Sequence, residues 1–458
     1  MAVTSSLERF IASHQKSKEL TERSFRVSRG LHSDAIFTTA PYIYVTHAKG
    51  SRKWDVDENE YIDYVMGFGT LLLGHTHPTM VEAVTKQIVK GTHYGAENEL
   101  ELEWAELICQ LIPAAERVEF MLSGSESNML IAALARAYTG RKKILKFAEQ
   151  YFGWADGLLP GIAPPYDKPF AGHIPPISED AVAEGTVVIS CNDEAAMERA
   201  LAREDIAALF LEGGGANCGR IGMLPELVYK ARQLTRKYGT LLVIDEVISG
   251  FRWSPGGYQA AIGVTPDISA LAKLNSGGIP GGAAVCGRAD IMELLWLKPG
   301  EVEWNRHRHV IHRGTWNGNP LTAAAAVAML KIVAKGEVQK TAEARAKRLV
   351  EGMNREIGKR GVEACAHNAT SAVHIFIGKC QKCDRAICLD CAKSMPAELA
   401  YALNRHLLLN GVHFHRGTLG LVSAVHSEED IDQTIAAFGT AFDGMIAEGF
   451  IGTTKKEE

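Results

Sequence analysis

The chain has 458 residues, 46% of them hydrophobic and 22% charged, with a formal net charge of −5. One core stops growing at roughly 250–300 residues, so more than one domain is expected. The charge leaves no basic footprint for nucleic acid or an anionic membrane, and no apolar run approaches the roughly 20 residues of a membrane span.

Nine cysteines, an odd number, argue for a reducing compartment. Met1 to Ser6 lack the order of a signal peptide, so a cytoplasmic location is expected. Residues up to about Arg29 are polar and roughly helical. Trp54 to Tyr64 alternates like short strands around a turn at Asp57 to Asn59. His75 and His77, two residues apart without a nearby carboxylate, read as structural rather than metal-binding. Val81, Val84, Ile88 and Val89 mark an amphipathic helix, as do Leu100, Trp104, Leu107, Ile108 and Leu111.

From Arg117 strands and helices alternate. Strands are expected at 118–122, 144–147, 187–190, 207–211 and 241–244, and a further one, placed at an edge, at 283–286. Helices fall between them, over 125–138 and from Pro225 to a stop at Gly239. This pattern predicts an α/β domain with a mostly parallel sheet. After Pro320 long helices at 321–334 and 338–360 precede strands at 371–377 and 419–425 and a helix at 396–409. Ser427 and Asp430 form a capping box for a last helix. Untidy alternation there predicts a small α+β domain. The expected division is an N-terminal segment over 1–80, a large domain over 81–320 and a C-terminal domain over 321–458.

Chemistry concentrates between Leu241 and Lys273. Leu241 to Ile244 reads as a strand buried on both faces, and it ends in Asp245. A second apolar run delivers Lys273 to the edge of Asn275-Ser276-Gly277-Gly278. Open α/β sheets bind ligands at such strand ends. An acid and an amine placed there suggest pyridoxal phosphate (PLP), with the amine forming a Schiff base and the acid holding the pyridinium nitrogen protonated. Spacing alone equally allows a helix-capping Asp245 and a surface Lys273.

Asp245-Glu246-Val247, Gly250-Phe251-Arg252, Gly263-Val264-Thr265-Pro266-Asp267 and Lys273 together resemble the signature of class III PLP-dependent aminotransferases, in the branch containing glutamate-1-semialdehyde aminomutase. The resemblance extends from about Trp54 to Asp432. It implies PLP fold type I, aspartate aminotransferase-like, with the N- and C-terminal segments together forming the small domain. It implies that Lys273 carries the Schiff base and then moves the Cα proton, and that Asp245 pairs with the pyridinium nitrogen. Gly124 and Ser125 resemble the phosphate loop, Tyr151 the residue flat on the ring, and Val247 the residue on the opposite ring face. Glu212 corresponds to a glutamate near the cofactor. Thr315, in Gly314 to Pro320, resembles the threonine that reaches the phosphate of a neighbouring subunit, which implies a homodimer with shared active sites. The family usually has His where this chain has Phe152; Phe152 and Trp154 suggest an apolar entrance.

Within that branch the chain departs from the mutase pattern. Residues 31–37 lack its arginine, Phe68 replaces a tryptophan, and Thr418, beside Arg416, stands in place of a late glutamate. A mutase must retain a diamino intermediate, so the expected activity is an aminotransferase acting on small amine and keto-acid substrates, with an aminomutase as the alternative. Phe68, Trp154 and Arg416 are the candidate substrate residues, Arg416 as a bidentate carboxylate clamp. A scaffold without chemistry is the reading outside enzymes, and the joint presence of Lys273, Asp245 and Tyr151 speaks against it.

Cys380, Cys383, Cys388 and Cys391 form C-x2-C-x4-C-x2-C. Paired C-x2-C suggests structural zinc, although the spacer is short; free or reversibly oxidised thiols are the other reading.

Overall fold

The computed structural model describes residues 5–27, 43–162, 184–379, 391 and 395–453. Packing divides the chain into two units, Pro78–Gln339 and Met1–His77 with Lys340–Glu458.

The larger unit is built on a seven-stranded sheet. Its order is Arg117–Met121, Ala283–Gly287, Ile268–Leu271, Leu241–Glu246, Ile206–Glu212, Lys143–Phe147, Thr186–Ile189. The last five strands in that order run parallel, and Ala283–Gly287 is antiparallel to both neighbours. The expected edge position of Ala283–Gly287 is therefore corrected: Arg117–Met121 covers it. All five of its residues are buried, as an interior strand requires.

Two apolar layers sandwich the sheet. On one face Ile144, Phe210, Val243 and Ala270 pack with Leu130, Ile131 and Leu134 of the helix Gly124–Thr139. On the other, Leu145, Leu209, Leu242 and Ile244 pack with Leu227, Val228, Ala231 and Leu234 of the helix Pro225–Lys237. Alternate residues of one strand thus serve opposite layers.

The helix Pro320–Val333 belongs to this unit, so the boundary expected at 320 lies at 339. Its run of buried alanines lets it pack closely against the helices Pro78–Ile88 and Glu99–Leu111 and the turn Lys273–Ser276.

The smaller unit holds a four-stranded sheet, which includes Arg52–Asp55 and Glu60–Asp63, and a three-stranded sheet over 364–377 and 419–421. Phe414, Phe438, Phe442 and Tyr64 centre its core. Ser427 caps the helix Glu428–Ala447, with Asp430 as the reciprocal partner. His75 Nε2 lies 2.8 Å from Asp63 Oδ2, so a carboxylate partner is present after all, and Lys53 holds the other oxygen.

Among the described residues no group of three or more His, Cys, Asp or Glu is placed to hold a metal. Cys380, Cys383 and Cys388 lie outside the described residues, and the zinc expectation with them. No described helix is long and apolar enough to cross a membrane.

Trp104 is fully buried, stacks on Phe120 at 4.0 Å, and donates from Nε1 to Asn275 Oδ1 at 3.1 Å. Asn275 in turn donates to Gly282 O at 3.2 Å, which braces the turn that carries Lys273. Trp104→Phe keeps most of the bulk but strands a buried acceptor. It should cost about 1–3 kcal/mol, measured by denaturant unfolding.

Candidate active site

Strand parity assembles the site. Glu212 follows Phe210 by two residues, and Asp245 follows Val243 by two, so both carboxylates face the helix Gly124–Thr139. Glu212 and Asp245 are also register partners on neighbouring parallel strands. Two acids side by side and buried cannot both ionise cheaply. Burial, opposed by the Val247 N–H and Asn128, raises the Asp245 carboxyl to about 6. Burial, reinforced by the charge of Asp245, raises Glu212 to about 8.

Each acid is oriented by donors. Asn128 Nδ2 donates to Asp245 Oδ2 at 2.6 Å, and Val247 N–H donates to Oδ1 at 2.8 Å. Glu212 Oε1 accepts from Tyr151 N–H at 2.5 Å. Asn128 was missed in the sequence reading. Its signal is a polar residue on the apolar face of the helix, between Ser127 and Leu130.

Lys273 follows the strand Ile268–Leu271, whose Ala270 is the register partner of Asp245. Its φ is +50°, a conformation that non-glycine residues adopt at a cost of about 1–3 kcal/mol and that clusters at functional sites. Burial lowers its amine below the ordinary lysine value, against the attraction of Asp245 and then Glu212. An amine so lowered can act as a nucleophile or a base nearer neutral pH.

The helix Gly124–Thr139 begins at the mouth of this cluster. Ser123 caps it by accepting from Glu126 N–H and Glu126 closes the capping box, so the N–H groups of Gly124 and Ser125 are the ones left at the helix start. Such a helix start favours an anion. The approach is tight. A Cβ on Gly124 would sit 2.7 Å from Val247 Cγ2, and one on Gly153 would sit 2.4 Å from Ser125 Oγ.

The structure therefore gathers Gly124, Ser125, Tyr151, Glu212, Asp245, Val247 and Lys273 in one unit. Tyr151 and Trp154 are 48% and 70% exposed, as an entrance would be. Phe152 is fully buried, edge-on to Phe210 at 5.4 Å, so it belongs to the core and not to the expected apolar entrance. Thr315 is exposed in the segment before the helix Pro320–Val333. Phe68 and Arg416 belong to the smaller unit; there Phe68 packs edge-on to His415, the neighbour of Arg416, at 5.4 Å. Both have positive φ, 58° and 51°.

These parts fit PLP on their chemistry: an anion cradle with no room for a Cβ, a buried carboxylate held by two neutral donors, and a lowered amine near it.

The raised Asp245 makes a stability prediction for ligand-free protein. A carboxyl with a raised value favours the fold only while protonated. That contribution is full below about 4 and is lost as pH rises through about 6. Ligand-free Asp245→Asn, which stays neutral, should gain melting temperature over its ligand-free parent as pH rises from about 4 to about 6, then hold a constant difference. A difference that ignores pH throughout contradicts the assignment.

The model of the family described as aminotransferase class-III matches residues 36–363. A glutamate-1-semialdehyde 2,1-aminomutase of Syntrophomonas wolfei subsp. wolfei is 35% identical over 410 residues, covering 89% of this chain and 92% of the relative. An omega-transaminase from Sphaerobacter thermophilus superposes with a TM-score of 0.82 at 28% identity, over 93% of this chain and 97% of the other. A transaminase with PLP bound gives 0.84 at 27% identity, over 95% and 99%. The chain is a PLP-dependent enzyme of fold type I and belongs to the class III aminotransferases.

Proposed function

We propose that the enzyme exchanges an amino group and a carbonyl oxygen, and that its reaction is the 2,1-aminomutation of an amino aldehyde of the glutamate-1-semialdehyde type. The observation that carries this reading is the 35% identity to an aminomutase across 89% of the chain.

PLP, when bound, supplies an electron sink for the bond-breaking at the substrate carbon. The chain supplies the rest. The first-turn N–H groups of Gly124 and Ser125 hold the phosphate. Asp245, oriented by Asn128 and Val247 N–H, accepts the ring nitrogen's proton as a hydrogen bond and gains a cation that offsets its burial. Tyr151 would hold one ring face and Val247 the other, and an offset aromatic contact would add about 0.5–1.5 kcal/mol. Lys273 Nζ anchors the cofactor and then moves the proton at the substrate carbon. Thr315 completes the phosphate site of a second subunit, so the working form is a homodimer.

A second reading, transfer between two molecules, has its own support. Phe68 and Thr418 stand where the mutase pattern has tryptophan and glutamate, and Arg416 offers a carboxylate clamp for a keto-acid acceptor.

Two measurements decide. Glutamate 1-semialdehyde alone should be converted to its 1-amino-2-keto isomer with no amine donor or keto acid added. If turnover instead requires both, and one half-reaction releases a carbonyl product from the donor, the second reading replaces the first. Under either, Lys273→Ala should keep the fold and lower turnover by at least about 10³-fold, since one group serves as both anchor and base. Near-parental turnover sinks both.

A further inference from the structure

Lys146 is a buried charge that the reaction above leaves unused. It is fully buried in an interior strand, between register partners Val188 and Phe210. It follows Ile144 by two residues, so it shares the face of Ile144, Phe210 and Val243. That is the face of Glu212 and Asp245. One layer of the sheet therefore carries two acids and, two strands from Asp245, an amine.

A buried ammonium needs partners. Lys146 Nζ donates to Leu158 O at 2.6 Å, and it lies 5.3 Å from the centroid of the Phe152 ring. Burial lowers it to about 7, and the opposing attraction is first that of Glu212. Leu158 and Phe152 belong to the segment that presents Tyr151. Glu212 grips the same segment elsewhere: Tyr151 N–H donates to its carboxylate, and its own N–H donates to Gln150 Oε1 at 3.1 Å. Lys146 and Glu212 thus hold Tyr151 from both sides of its position in the chain.

We propose that Lys146 is a positioning residue for the reaction: its amine, bonded to Leu158 O and set against the Phe152 ring, pins residues 152–158 to the sheet, so that Tyr151 is presented in one place. It touches neither cofactor nor substrate. The inference rests on the reading of Tyr151 and Glu212 as residues of the PLP site.

The test is equilibrium PLP binding, followed by its visible absorption across pH 6–9, in the whole protein. Lys146→Met removes the charge and keeps much of the stem; Lys146→Gln keeps a donor for Leu158 O without the charge. Lys146→Met should weaken PLP binding at least tenfold at pH 7.5, with Lys146→Gln intermediate. In a Tyr151→Ala background, where no ring is left to present, the further loss from Lys146→Met should shrink below twofold; a general structural defect would persist there. Binding within twofold of the parent overturns the proposal, and so does a full tenfold loss that persists in Tyr151→Ala. If Lys146→Met gives no folded protein, Lys146→Gln is judged by the same two criteria. Tyr151→Ala and Glu212→Gln are measured alone as well. If neither changes PLP binding, the reading of the site fails; if both do and Lys146 variants do not, only this inference fails.

Discussion

Glu212 and Asp245 end neighbouring parallel strands in register, on the same buried face. This is the constraint around which the larger unit is arranged. Burial raises both acids, and the charge of Asp245 raises Glu212 further. The fold answers with donors and a cation. Asn128 and two backbone N–H groups orient the oxygens, and the charge of Lys273 attracts Asp245. These offset the burial only in part, since Asp245 stays at about 6 and Glu212 at about 8. A further positive group bound beside Asp245 would offset more of it.

That arrangement also explains why so much was legible in the sequence. The strands Ile206–Glu212 and Leu241–Glu246, buried along their whole length, read as continuous apolar runs, and their ends are marked by the residues that break the run. Glu212 and Asp245 stand out because each is a carboxylate directly after such a run. Lys273 stands out for the same reason. The capping box at Ser427 and Asp430 was visible because its donors and acceptors are local.

What the sequence hid is tertiary. Lys146 sits inside an apolar run and looks like an ordinary strand lysine on a solvent face; only the sheet order shows that both its flanks are covered. Asn128 is a lone polar residue on an apolar helix face, and its partner appears only when the Asp245 strand is placed beneath it. Phe152, next to exposed Tyr151, reads as part of an aromatic entrance, yet its ring turns inward onto Phe210. The position of Ala283–Gly287 depends on a partner strand more than 160 residues away in the chain, which no local pattern encodes.

The two halves of the functional question lie in different parts of the chain. Every residue assigned to hold PLP or move the proton at the substrate carbon, other than a partner's contribution, belongs to Pro78–Gln339. The described positions that depart from the mutase pattern, Phe68 and Thr418, belong to the other unit, as does Arg416. Mutation within one molecule and transfer between two share the first proton movement and differ in whether the aminated product is held or released. On that reading the larger unit's chemistry is common to both outcomes and does not select between them. It follows that overall likeness is a blunt guide to outcome here. The 35% identity is averaged over a whole chain, whereas retention of a product depends on a few contacts, each a small fraction of the binding energy and each free to change without disturbing the buried acids.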